Sequence, residues 1–311
     1  MPSFTDVYVT VNGVRLHAVK AGQGPLLLFL HGFPEFWYAW RNQLQEFGKD
    51  HLAVAPDLRG YNLSEKPALV SEYRPEVLVE DIRQLADQFR AGRKFVLVGH
   101  DWGGALAWAF AMAYPSYLEK LIIINAPHPA IFNRLLASDP EQQQASQYML
   151  LFRSSNAEEI LSDNNYAALV EVVLADLLVT GAIGEADKAA YLKAWSEPGA
   201  LTGGLNYYRA IALGPPSPGD RQGLPLLEPA SGSGERFADR GRSELRVDVP
   251  TLVLWGEKDV ALVTRNLDGL DQFVRELTVE RIPEGSHWVV HEHPRRINAA
   301  IRSFLEGSAP T

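Results

Sequence analysis

The sequence predicts an α/β fold: a mostly parallel sheet flanked by helices, with an inserted helical cap. Three observations carry that prediction. Short apolar runs such as Leu26–Leu30, Leu121–Ile124 and Thr251–Trp255 alternate with stretches of helical periodicity. Strands this apolar are buried on both faces, as in parallel sheets covered by helices. The rhythm then stops near Pro127 and resumes near Thr251. The expected division is a core of residues 1–126 and 250–311, with residues 127–249 as the cap.

The elements follow in order. Val7–Val11 and Val14–Val19 alternate around Asn12-Gly13, a strong hairpin signal. Leu26–Leu30 is a buried strand that runs into His31-Gly32-Phe33-Pro34-Glu35. Leu52–Ala55 is another, followed by Pro56-Asp57-Leu58-Arg59-Gly60-Tyr61. Leu78, Ile82, Leu85 and Phe89 recur at helical spacing, so a helix covers them. Phe95-Val96-Leu97-Val98 comes next and leads to Gly99-His100-Asp101-Trp102-Gly103-Gly104, before the helix-forming run Ala105–Ala113. Leu121–Ile124 closes the first half of the core. In the cap, Tyr148–Phe152, Ala167–Val179 and Ala186–Trp195 are the clearest helical pieces. Gly214 to Arg242 is rich in Pro, Gly and Ser and predicts a long surface loop. Strands at Thr251–Trp255 and Leu277–Val279 follow, then a helix after Pro294 with Ile297, Ile301 and Phe304 on one face.

Composition excludes several classes. Acidic residues number 38 against 29 basic, a net charge of −9, and no basic cluster appears, which argues against a nucleic-acid surface. With no cysteine there is no disulfide and no thiolate metal site; no cofactor is implied. The first residues lack a signal-peptide pattern, and no apolar run is long enough to span a bilayer. The chain is expected to be soluble and cytoplasmic.

The chemistry centres on Gly99-His100-Asp101-Trp102-Gly103. The spacing is that of a nucleophile elbow, in which a strained residue between strand and helix lifts its side chain clear. Side chains at 99 or 103 would collide with the backbone folding over the turn. The central residue is a carboxylate, which points to attack on an alkyl carbon. A histidine must then activate water, and an acid must orient that histidine. Asp259 follows the strand ending at Trp255, and His287 follows the next strand, where an open parallel sheet gathers its ligands. Alone, Asp259 would read as a turn or capping aspartate and His287 as a loop histidine. In this order after these strands, the catalytic reading prevails. Glu257 is the weaker rival acid, and His291 and His293 are expected at the surface. After His31-Gly32, the backbone N–H of Phe33 and that of Trp102 are the expected oxyanion donors, and Phe33-Pro34 is a candidate cis bond. His31 and His100 are expected to brace the elbow, and Asp57 and Arg59 to hold a neighbouring loop.

These motifs resemble those of the α/β-hydrolase superfamily, and the segments Leu26–Gly104 and Thr251–Pro294 resemble its epoxide hydrolase branch. The resemblance implies two cap tyrosines that donate hydrogen bonds to an epoxide oxygen. Leu205-Asn206-Tyr207-Tyr208-Arg209 is closely similar to the segment carrying one, at Tyr208. Gln147-Tyr148-Met149-Leu150-Leu151-Phe152 is similar, more loosely, to the segment carrying the other, at Tyr148. Tyr207 and Tyr166 are expected to be packing residues. Asn62 stands where the family usually has glycine. The implied substrate is a small apolar epoxide, with water, bound by Trp102, Phe33, Tyr148 and Tyr208 in a monomer or homodimer. The elbow is shared with haloalkane and haloacetate dehalogenases. Phe33 in place of their halide-binding asparagine, and Trp102 in place of the arginine of fluoroacetate enzymes, count against that alternative. A catalytically silent ligand-binding member of the fold is the remaining alternative.

Overall fold

A computed structural model describes residues 2–215 and 245–307. One eight-stranded sheet runs through it. Its strands are β1 (Thr5–Val11), β2 (Val14–Ala21), β3 (Leu26–Leu30), β4 (Leu52–Pro56), β5 (Phe95–His100), β6 (Leu118–Ile124), β7 (Thr251–Gly256) and β8 (Leu277–Ile282), in the spatial order β1-β2-β4-β3-β5-β6-β7-β8. β1 and β2 form the antiparallel hairpin that Asn12-Gly13 predicts, both turn residues having positive φ. β2 also lies antiparallel to β4, and every later pairing is parallel.

Core helices cover both faces. They are α1 (Arg41–Phe47), α2 (Pro75–Phe89) and α3 (Trp102–Ala113) in the first half of the chain. The period of two along β5 decides which side chain meets which layer. Phe95 and Leu97 pack with α2 and α3 through Ile82, Leu106 and Phe110. Val96 and Val98 face the other way, with Phe47 of α1 and with Ile297 and Ile301 near the C-terminus. Neither layer of apolar side chains could be left in water. Burial at about 25 cal/mol per Å² makes the sheet sandwich the main source of stability.

Seven helices lie between β6 and β7 among the described residues: α4 (Pro129–Ser138), α5 (Pro140–Ala145), α6 (Tyr148–Arg153), α7 (Ala157–Leu169), α8 (Ala175–Val179), α9 (Glu185–Ser196) and α10 (Ala200–Ala210). Among the described residues no strand enters this stretch. Asp163–Tyr166 break α7, three of the four having positive φ, and a wide π turn, Val170–Leu174, links α7 to α8. The expected loop from Gly214 to Arg242 lies, from residue 216 onward, outside the described residues. The chain ends its core with α11 (Val289–Glu292) and α12 (Pro294–Glu306), the latter burying Ile297 and Ile301. No helix among the described residues is long and apolar enough to cross a membrane.

Arg59 and Asp57 are structural, as expected. Arg59 is buried and meets both oxygens of Asp81 at 2.7 Å. Asp57 accepts from the Trp37 N–H and the Asn62 amide, and pairs with His17. Asn62 adopts a positive φ of 40°, so it fills the left-handed position without glycine while its amide ties down the turn. The Asp81→Asn variant removes the buried counter-charge of Arg59 and leaves only the more exposed Glu72 carboxylate, 3.2 Å from Nη1. It should lose about 3–5 kcal/mol of stability, read as a lower urea midpoint at unchanged slope.

Candidate active site

β5 delivers Asp101 to the carboxyl end of the sheet. The aspartate has φ 51° and ψ −121°, a strained turn between β5 and α3. Glycine is required beside it, since a Cβ at Gly103 would stand 2.2 Å from the Leu30 carbonyl oxygen. β3 ends on the facing loop, where the Phe33–Pro34 bond is cis. The Phe33 N–H donates to Asp101 Oδ1 at 2.8 Å. That leaves Asp101 Oδ2 for other work, and His287 Nε2 lies 3.7 Å from it. On its other side, His287 Nδ1 meets Asp259 Oδ2 at 2.7 Å. Asp259 Oδ1 is taken by the N–H groups of Ala261 and Leu262. Asp101, His287 and Asp259 therefore stand in one line at the ends of β5, β8 and β7, with a hydrogen bond joining the last two and the imidazole 3.7 Å from the first.

Helices from between β6 and β7 lie over this line. α6 begins with Tyr148, and α10 carries Tyr208. α10 can approach because its contact position is glycine: a Cβ on Gly203 would lie 2.2 Å from the Gly60 carbonyl oxygen. The rings of Tyr148 and Tyr208 are 6.3 Å apart, and Tyr208 stands edge-on to Trp102 at 5.1 Å. Asp101, Trp102, Tyr148 and Tyr208 line one cavity of about 50 Å³, with Phe132, Met149, Leu213 and Leu262 among its apolar walls. Two tyrosines stay outside it. Tyr207 is buried and donates to the Arg59 carbonyl, and Tyr166 donates to the Trp195 carbonyl.

A family model described as alpha/beta hydrolase fold matches residues 25–294. The chain belongs to that family. Within the α/β-hydrolases its relatives include proteins named as epoxide hydrolases. It is 36% identical to mouse epoxide hydrolase 4, over 97% of this chain and 80% of that one. It is also 36% identical to the Bacillus subtilis AB hydrolase superfamily protein YfhM, over 96% of this chain and 97% of that one. The crystal structure of Bacillus megaterium epoxide hydrolase in complex with an inhibitor superposes with a TM-score of 0.85 at 38% identity, covering 96% of this chain and all of that one. The chain is an α/β-hydrolase of the epoxide hydrolase branch.

Electrostatics in this α/β-hydrolase site follow from burial and charge. Burial alone would push the His287 imidazole down. The carboxylates of Asp259, then Asp101 and Glu35, outweigh it and raise the group to about 9. Burial would likewise raise Asp259, but the His287 imidazolium holds it below the usual carboxylate range. Burial, and after it the Asp101 charge, holds the Tyr148 phenol well above its ordinary value. Tyr208 is held up by burial and by the neighbouring Tyr148 and Asp101. Both phenols are therefore protonated at neutral pH.

Two expectations need correction. His291 is not at the surface: it is 3% exposed, with Nε2 2.6 Å from Glu35 Oε1. The short helix α11 turns it inward, where Glu35 also accepts from Tyr191 of α9 and meets His100. The Phe33 ring does not line the cavity. It packs on Phe152 and Tyr208 at 5.0 and 5.6 Å, so Phe33 meets the site through its backbone. His100 braces the elbow, and His31 holds the loop beside it. His31 Nε2 accepts from the Leu58 N–H, and His100 Nε2 reaches the His287 carbonyl oxygen at 2.8 Å. Asn125 is a residue that the sequence reading missed. It directly follows β6, has φ 38°, and its amide donates to Asp259 Oδ2 at 2.8 Å. The signal was there in outline: an asparagine ending an apolar strand, a residue type that tolerates positive φ.

Proposed function

We propose that the chain hydrolyses an epoxide to a vicinal diol in two steps, through an ester on Asp101. The observation that supports this reading is the cavity itself. A carboxylate and two protonated phenols face one another across it, with an imidazole behind the carboxylate. In the first step Asp101 Oδ2 attacks a ring carbon and the C–O bond breaks. The departing alkoxide is a poor leaving group. The hydroxyls of Tyr148 and Tyr208 hold the ring oxygen and supply its proton. In the second step His287 takes a proton from water, and the hydroxide attacks the Asp101 carbonyl carbon. The developing oxyanion is Oδ1, already held by the Phe33 N–H, with Trp102 N–H as the second donor. The diol leaves with an aspartate oxygen that takes its proton from the His287 imidazolium, solvent returns a proton to the phenol, and the water oxygen stays on the enzyme. Residues 127–249 act as the cap that supplies the phenols, and a small epoxide and water are the reactants.

The elevated value of His287 fits this order. The free enzyme holds an imidazolium, partly because Asp101 is an anion. Forming the ester removes that charge, the value falls, and the imidazole becomes the base that water needs. Ester hydrolysis should therefore rise with pH along a limb whose midpoint lies below about 9, the value for free His287. Single-turnover rates against pH, beside an NMR titration of the free enzyme, check this. An equal or higher midpoint in the ester form would remove Asp101 from the account. The function itself is tested on a panel of aryl and alkyl epoxides, haloalkanes and haloacetates. Diol from epoxides that disappears in Asp101→Ala is the expected result. Halide release without diol would make the chain a dehalogenase.

A further inference from the structure

An imidazole stands only as firmly as the backbone that carries it, and His287 sits on a loop between β8 and α11. Its carbonyl oxygen is held by His100 Nε2 at 2.8 Å. The Trp288 N–H that follows donates to Ser286 Oγ at 3.0 Å. Upstream, the loop is joined to the segment that carries Asp259. The Lys258 N–H donates to the Gly285 carbonyl at 2.9 Å. The Ser286 carbonyl packs on Gly256, where a Cβ would stand 2.3 Å from its oxygen. The Ser286 N–H, one residue before His287, is held by a side chain: Glu292 Oε2 accepts from it at 2.7 Å. α11 makes that contact possible. Its single turn is closed by the N–H groups of His291 and Glu292 on the Trp288 carbonyl, and it brings residue 292 back to residue 286. The carboxylates that raise His287 are those of Asp259, Asp101 and Glu35, so Glu292 serves the imidazole through this hydrogen bond and not through its charge.

We propose that Glu292 is a positioning residue for ester hydrolysis: by holding the Ser286 N–H it sets where the His287 imidazole stands between Asp259 and Asp101. The proposal rests on the two-step epoxide reading. Asp259 fixes the direction of the ring from one nitrogen, 2.7 Å away, and the other nitrogen stands 3.7 Å from Asp101 Oδ2. Neither contact fixes the backbone from which the ring projects. A backbone N–H that loses its acceptor must find another, so without Glu292 the loop shifts and carries the ring with it. A displacement of about 1 Å can cost on the order of a hundredfold in a step that depends on such geometry. Alkylation of Asp101 does not use the imidazole and should be indifferent to the change.

The test compares Glu292→Ala, which removes the acceptor, with Glu292→Gln, which keeps an oxygen for the Ser286 N–H and removes the charge. Rapid quenching and intact-protein mass measurement through one turnover of styrene oxide give three quantities: the fraction of protein that reacts, the alkylation rate and the decay rate of the ester. Glu292→Ala should alkylate near the wild-type rate and lose its ester about ten- to a hundredfold more slowly. Glu292→Gln should behave close to wild type. A purely structural role would lower the reacting fraction of Glu292→Ala and leave its ester decay unchanged, and that result would overturn the proposal. A Glu292→Gln variant as slow as Glu292→Ala would also overturn it, because the charge would then matter and not the acceptor. A second readout needs no epoxide. The His287 Nδ1–H proton, in a short charge-assisted hydrogen bond to Asp259, resonates far downfield in proton NMR. The signal should persist in Glu292→Gln, and in Glu292→Ala it should move upfield or exchange away. An unmoved signal in Glu292→Ala would overturn the proposal. A signal that follows Glu292 in a chain that opens no epoxide would sink the epoxide reading and support the hold of Glu292 on the imidazole.

Discussion

A His287→Gln variant is expected to consume one equivalent of epoxide and then stop, with the substrate held as an ester on Asp101. The reason lies in the division of labour within the site. Alkylation needs the Asp101 carboxylate and the phenols, and His287 touches neither reacting bond in that step. The ester needs a base, and His287 Nε2, 3.7 Å from Asp101 Oδ2, is the imidazole placed to serve. Losing a positioned general base costs about 10²–10⁴-fold, so the second step should become far slower than the first. Rapid quenching followed by intact-protein mass measurement should find the protein heavier by one substrate. Asp259→Asn should slow the same step, because the imidazole loses the anion that orients it at 2.7 Å. Steady diol formation by His287→Gln at the wild-type rate, with no mass increase, would remove His287 from the mechanism.

The second large effect is expected at the two phenols of α6 and α10. Tyr148→Phe with Tyr208→Phe should abolish ring opening and leave hydrolysis of a preformed ester nearly unchanged. An alkoxide leaves only if its charge is met as the C–O bond breaks, and both phenols are held protonated by burial and by Asp101. Each positioned donor is worth about a hundredfold or more in alkylation. Phenylalanine keeps the ring and the packing against Phe152, Phe33 and Trp102, so the loss reports the hydroxyl. Single variants should slow burst-phase ester formation, Tyr208→Phe at least as much as Tyr148→Phe. A double variant that still opens epoxides near the wild-type rate would favour a dehalogenase, whose halide leaves without a proton.

The core of this architecture was legible because its constraints are local. Gly99 and Gly103 flank Asp101 because the backbone there has no room for a side chain, and that spacing survives in one dimension. Asp259 and His287 could be placed because both follow apolar strands and a parallel sheet gathers such ends. Long-range relations were less visible. Asn125 matters through an amide contact to a residue 134 positions later, and periodicity carries no trace of that. His291 was expected at the surface because it follows the loop that carries His287. A single helical turn instead points it at Glu35, 256 positions earlier. α10 was weakly marked, since Gly203 and Gly204 lower helix propensity. The same residues let it lie against Gly60 and bring Tyr208 over the elbow.

The central claim is that water oxygen enters the enzyme before it enters the product. One turnover with excess enzyme in heavy-oxygen water tests it most directly. Proteolysis and mass measurement of the peptide bearing Asp101 should find the label on that aspartate, with unlabelled diol. Labelled diol from an unlabelled Asp101 would mean that water attacks the epoxide directly, and the ester mechanism would be contradicted.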